Sequence, residues 1–64
     1  MEYAKLIEQY FEDGFPFVDI TYNGVIYGIY KNWAIRYKED HMDVRIANDV
    51  ILVFYYDKIE SVGI

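Results

Sequence analysis

The chain contains no cysteine, one proline, one histidine and one serine. Without cysteine there is no disulfide framework and no thiolate zinc site, which suits a reducing, cytoplasmic compartment. A single histidine, His41, has no second imidazole at ligand spacing, which argues against a structural metal. Nucleophilic catalysis needs a hydroxyl held within hydrogen-bond reach of a base. Ser61 falls near the end of the chain and His41 in a polar loop, so no catalytic residue is assigned. No cofactor motif is present, and the chain is not expected to be an enzyme. Positive charge is also scarce: six Lys and Arg stand against eleven Asp and Glu, for a net charge of −5 and a pI near 4.5. Such a chain is repelled by nucleic-acid phosphates and by anionic membranes. Nucleic acid is therefore a disfavoured partner, and a protein, especially a basic one, the favoured one. The most apolar run, Val50 to Tyr56, is far short of the roughly 20 residues a membrane helix needs. The start, Met1-Glu2-Tyr3, lacks the basic and apolar regions of a secretory signal.

Aromatic residues, by contrast, are abundant, at 20% of the chain, with eight Tyr and four Phe. The 64 residues predict one domain, 1–64. A domain of this size buries only about 60% of its unfolded surface. Rings that each bury about 150–250 Å² are an economical way to build its core, and a second copy of the chain is another, so a homodimer is an expected assembly.

Tyr3, Leu6, Ile7, Tyr10 and Phe11 recur at the spacing of one helix face, predicting an amphipathic helix over about 2–13. Gly14 is its left-handed cap and Pro16 stops it. Glu12 and Asp13 sit where the macrodipole disfavours negative charge. A period of two follows, with strands expected over about 17–22, 25–30, 33–38, 43–47 and 50–56, and room for a short sixth at 59–63. Asn23-Gly24 is the strongest hairpin signal. It sets Tyr22 opposite Val25, Ile20 opposite Tyr27 and Val18 opposite Ile29. A loop Tyr30-Lys31-Asn32, with Asn32 left-handed, keeps Trp33, Ile35 and Tyr37 on the same face. The loop Glu39-Asp40-His41-Met42 then sets Tyr37 opposite Val44 and Ile35 opposite Ile46. A tight Asn48-Asp49 turn sets Ile46 opposite Ile51 and Val44 opposite Val53.

The fold class expected is α+β, a helix followed by a five-stranded antiparallel meander. Five strands span roughly 20 Å, whereas a helix is about 10–12 Å wide. One helix cannot cover that face, so the sheet must curl into a small barrel or find a partner. The layout resembles that of Sm-like and SH3-like barrels.

Three surfaces are candidates for function. Glu8, Glu12 and Asp13 make the outer side of the helix acidic, and Glu39, Asp40 and Asp43 form a second acidic region. Together they suit a basic groove on a partner protein, since complementary potential steers encounter and fixes register. In size and charge the chain is similar to the small acidic inhibitors carried by phages and mobile elements, including those of CRISPR and restriction enzymes. That likeness implies occupation of a nucleic-acid-binding groove. Leu52, Phe54 and Tyr56, with Ile26 and Tyr30, are read as an apolar interface patch on the second face of the last long strand. The alternative is a basic face of Arg36, Lys38 and Arg45 with Tyr30 for base stacking, a small barrel binding single-stranded nucleic acid. In that register Arg36 and Arg45 are direct cross-strand neighbours, with Asp19 and Asp43 nearby to balance them.

Overall fold

A computed structural model describes residues 2–64. The order of elements is α1 (Glu2–Glu12), β1 (Phe17–Tyr22), β2 (Val25–Tyr30), β3 (Ala34–Tyr37), β4 (His41–Ala47), β5 (Val50–Tyr55), a 3-10 turn (Tyr56–Lys58) and β6 (Ile59–Gly63). The fold is α+β with antiparallel pairing throughout. The strands do not form one five-stranded meander. They form two three-stranded sheets, ordered β2-β1-β6 and β3-β4-β5. Neither β2 and β3 nor β5 and β6 are paired, so no barrel closes. The width argument explains the division. A single sheet would leave apolar surface beyond the helix, whereas two half-sheets cover each other. Their inner residues Val18, Ile20, Ile29, Met42, Val44 and Phe54 join Ala4, Ile7 and Phe11 of the helix in one core. The radius of gyration, 10.8 Å, is about the value of ~10.7 Å expected for 64 residues folded as one unit. The core residues are buried within the single chain.

The helix ends in a Schellman motif. Gly14, at φ 98°, donates to the Phe11 carbonyl at 3.1 Å, and Phe15 donates to the Tyr10 carbonyl at 3.2 Å. The apolar contact that accompanies this motif is the edge-on pair Tyr10–Phe15, with ring centroids 5.8 Å apart. The buried stripe is Ala4, Ile7 and Phe11, with Tyr3 and Tyr10 half-buried beside it. Leu6, read from sequence as part of the stripe, is exposed. Ala4, rather than Leu6, completes the buried stripe.

The first hairpin has the register its turn predicts, running without interruption from Tyr22↔Val25 to Phe17↔Tyr30. Asn23 and Gly24 have φ of 51° and 77°, as a type I′ turn requires. Three later details differ from the sequence-based expectation. Asn32 is not left-handed, because Asn23 is the only non-glycine residue with positive φ among those described. The chain instead changes sheet at this corner, with Lys31 donating to the Pro16 carbonyl at 2.9 Å and Trp33 to that of Tyr30 at 3.2 Å. Trp33, Ile35 and Tyr37 still pack against the core. The β3–β4 turn is tighter than a four-residue loop. Lys38 donates to the His41 carbonyl at 2.9 Å, so Tyr37 pairs with Met42 and Ile35 with Val44. The shift is two residues, which preserves the faces.

The third difference reverses a face. The Asn48-Asp49 turn pairs Ala47 with Val50, but the ladder then slips between Arg45 and Ala47. This β-bulge leaves Ile46 without a partner of its own and sets Arg45 opposite Ile51, Val44 opposite Leu52 and Met42 opposite Phe54. One extra residue exchanges every side chain of β5 between the faces. Phe54 and Tyr56 go into the core at 2% and 3% exposure, and Leu52 packs against it. They do not form a surface patch; the outward row of β5 is Ile51, Val53 and Tyr55.

Candidate functional site

The acidic side of the molecule is built from two elements distant in sequence. The outer face of α1 carries Glu8, Glu12 and Asp13, all exposed. Gln9 donates to the Asp13 carboxylate at 2.9 Å, so the side chain that the helix dipole disfavours is held by its own turn. The β3–β4 turn carries the exposed Glu39 and Asp40, and β4 carries the half-buried Asp43. Glu8 and Glu12 line a depression with Lys31 and Tyr37, and the charges of both groups reach Tyr56. Burial raises the Tyr56 phenol above its ordinary value, and the charges of Glu8, Asp40 and Asp43 raise it further. Tyr56 donates to the Lys38 carbonyl at 3.0 Å, which ties this ring to the β3–β4 turn. Burial pushes Tyr37 up to about 12, with Glu8 the next cause. Both phenols are therefore neutral near pH 7, and the charge of this surface is set by the carboxylates.

His41 lies inside this acidic side. Its Nδ1 is 2.7 Å from Asp40 Oδ1 and its Nε2 is 3.4 Å from Asp43 Oδ1. The hydrogen bond from His41 is the main cause that lowers the Asp40 pKa, keeping that exposed carboxylate ionised. The His41 ring also stands 5.4 Å from that of Tyr55. No group of three or more His, Asp or Glu side chains converges to hold a metal ion among the described residues.

The basic residues are arranged differently from the sequence-based expectation. Arg36 is opposite Asp43, and Arg45 is opposite Ala34, so the two arginines are diagonal rather than direct neighbours. They border a depression of about 60 Å³ on the outer face of β3-β4-β5, lined also by Ala34, Asp43 and Ile51. Arg45 Nη1 donates to the Asn48 carbonyl at 2.8 Å, and Asp43 separates it in register from Arg36. Lys38 sits at the turn. Tyr30 belongs to the other sheet, where its ring lies 5.9 Å from Phe17 and 5.0 Å from Trp33. Asp19 is on β1 of that other sheet beside Gly28, away from the arginines in strand order.

Sequence reasoning placed His41 in the same polar loop as Glu39 and Asp40 but missed Tyr37 as part of the acidic side. The place of Tyr37 beside Glu8 depends on how the helix packs on the sheets, which no local signal specifies. It also assigned the wrong row of β5 to the surface, and the missing signal there is the bulge at Ile46. No helix among the described residues is long and apolar enough to cross a membrane. Comparison with protein-family models, curated proteins and solved structures found no match to the chain.

Proposed function

We propose that this chain is a non-enzymatic protein-binding module that presents its acidic side to a basic groove of a partner protein. The observation that carries the reading is that the exposed carboxylates Glu8 of the helix and Asp40 of the β3–β4 turn, together with Asp43, all raise the pKa of one tyrosine, Tyr56. Complementary potential over such a surface raises the rate of encounter and disfavours wrong partners. Where the groove is one that holds nucleic acid, the carboxylates stand in for phosphates and the chain acts as a competitive inhibitor, the mode suggested by its size and charge. The mixed signs of Arg36, Asp43 and Arg45, and the position of Tyr30 on the other sheet, favour this reading over a single-strand nucleic-acid platform.

The test is charge reversal at exposed positions. Glu8→Lys, Glu12→Lys and Asp40→Lys combined should leave the circular-dichroism spectrum unchanged and weaken capture of a basic partner about tenfold or more, with the wild-type interaction falling as salt rises. Capture that is insensitive to both the triple reversal and salt would overturn the reading.

A further inference from the structure

We infer that β5 is a docking edge for a second copy of this chain, the two copies pairing antiparallel along Val50–Tyr55 to extend the three-stranded sheet β3-β4-β5 to six strands.

The inference starts from the hydrogen-bonding side of the strand. β5 is the last strand of its sheet. Tyr56 donates its N–H to the Asp40 carbonyl, so the backbone groups of residues 56, 54 and 52 face β4. In an antiparallel ladder the intervening residues direct theirs away. Tyr55 agrees with this: its N–H meets the Tyr22 hydroxyl, at 3.4 Å. The N–H and C=O of Ile51 and Val53 therefore lie along the free edge, and no protein partner for them is found among the described residues.

The side chains and charges of the edge fit the same occupant. Sheet edges are normally blunted by lysine, proline or an inward charge. β5 is VILVFY and has none of these. Val50, Ile51, Val53 and Tyr55 are 44%, 48%, 42% and 45% exposed. On a chain of net charge −5, β5 carries none of the acidic side chains, so two copies can meet here without opposing like charges. Pairing Ile51 with Val53 of the second copy, and Val53 with its Ile51, satisfies all four free backbone positions. It also aligns the row that begins at Arg45, the β4 neighbour of Ile51, with the row that ends at Asp43 of the second copy, the neighbour of its Val53. The opposite edge strands are less suited. β3 is four residues long with Arg36 in it, β6 contains Glu60, and the outward row of β2 is interrupted by Gly28. The strand pair and its few side chains make less than the standard interface of about 1,600 Å², so the dimer is expected to be weak and concentration-dependent.

Sedimentation equilibrium of the full chain, from about 10 µM to 1 mM, should show monomer passing to dimer, and Val53→Lys should weaken that association about tenfold or more. Amide exchange of wild-type Ile51 and Val53 should slow about tenfold between the two ends of that range. This second measurement decides the matter even where Val53→Lys does not fold. A wild-type chain that stays monomeric to 1 mM would overturn the inference. So would a dimer whose Ile51 and Val53 amides exchange at the same rate as in the monomer, or one that Ile26→Lys dissociates while Val53→Lys does not.

Discussion

The hairpins β1–β2 and β4–β5 look alike in sequence and fold differently. Each joins two apolar strands through a two-residue turn beginning with asparagine, Asn23-Gly24 and Asn48-Asp49. In the first, both turn residues have positive φ. The backbone twist of such a turn matches that of the flanking strands, and six residue pairs follow without a slip. In the second, neither Asn48 nor Asp49 has positive φ, and the ladder slips at Ile46. Glycine is what separates them. Gly24 reaches the left-handed region at little cost, whereas Asp49 does not adopt it, and a bulge restores the twist that the turn fails to supply. The first turn determines both register and face; the second determines only where the chain reverses.

The largest expected effect tests the face exchange produced by that bulge. Phe54→Ala should lose about 3–5 kcal/mol, a large part of the roughly 3–10 kcal/mol expected for a domain of this length. Val53→Ala, one residue away and facing outward, should change urea-denaturation stability by about 0.5 kcal/mol or less. Equal losses at the two positions would break the comparison, because they would mean that β5 is not exchanged. The next effect compares the turns themselves. Gly24→Ala meets no atom within 4 Å of the added carbon, so its cost is conformational alone, about 1–2 kcal/mol. Asp49→Ala should cost a few tenths, about 0.5 kcal/mol at most. If Asp49→Ala proves the more damaging, the twist argument fails.

Two titrations sharpen the picture at the β3–β4 end. Tyr37 is raised from 10 to about 12 in the folded chain, while the unfolded chain keeps the ordinary value. Between these values the unfolded state has lost a proton that the folded state retains, so stability falls as pH rises. Its contribution is fully present below pH 10 and is gone above about pH 12. Denaturation midpoints at a series of alkaline pH values should drop across this window, and Glu8→Gln should narrow it, since Glu8 is the second cause of the shift. The smallest effect is at Asp40. His41→Ala removes the hydrogen bond that lowers its pKa, and carboxyl titration by NMR should show Asp40 returning toward its ordinary value. An unchanged titration would mean that His41 does not hold the Asp40 carboxylate.

Much of the fold was legible in the residues where local chemistry leaves few choices. Gly14 and Pro16 mark the end of the helix, and the Tyr10–Phe15 contact that seals it joins residues five apart. Asn23-Gly24 states its register outright. The faces of β3 survived an incorrect loop and an incorrect register because both errors preserved parity. What was not legible depends on contacts between elements. The break into two sheets at Lys31–Trp33 is a response to the width of an apolar face. The bulge at Ile46 is a response to a turn that lacks glycine, and it moved Leu52, Phe54 and Tyr56 from a surface patch into the core. The acidic residues of the candidate site were evident from charge alone. Their shared influence on Tyr56 was not, because α1 and the β3–β4 hairpin are brought together only by the tertiary core.

The contact between Glu60 and the first turn bears on how the chain folds. Glu60 is the extra residue where β6 slips against β1 at Thr21 and Tyr22, and its carboxylate accepts the Gly24 N–H at 3.3 Å. The Asn23-Gly24 hairpin is local and belongs to the class of structure that forms in about 1–10 µs. Its third strand lies 36 residues further along the chain, and everything between must be gathered in before β6 can dock. Closure of long loops slows folding more than it weakens stability. The sheet whose hairpin is the first to form is thus expected to be the last to be completed, with β6 as the latch that ends the folding reaction.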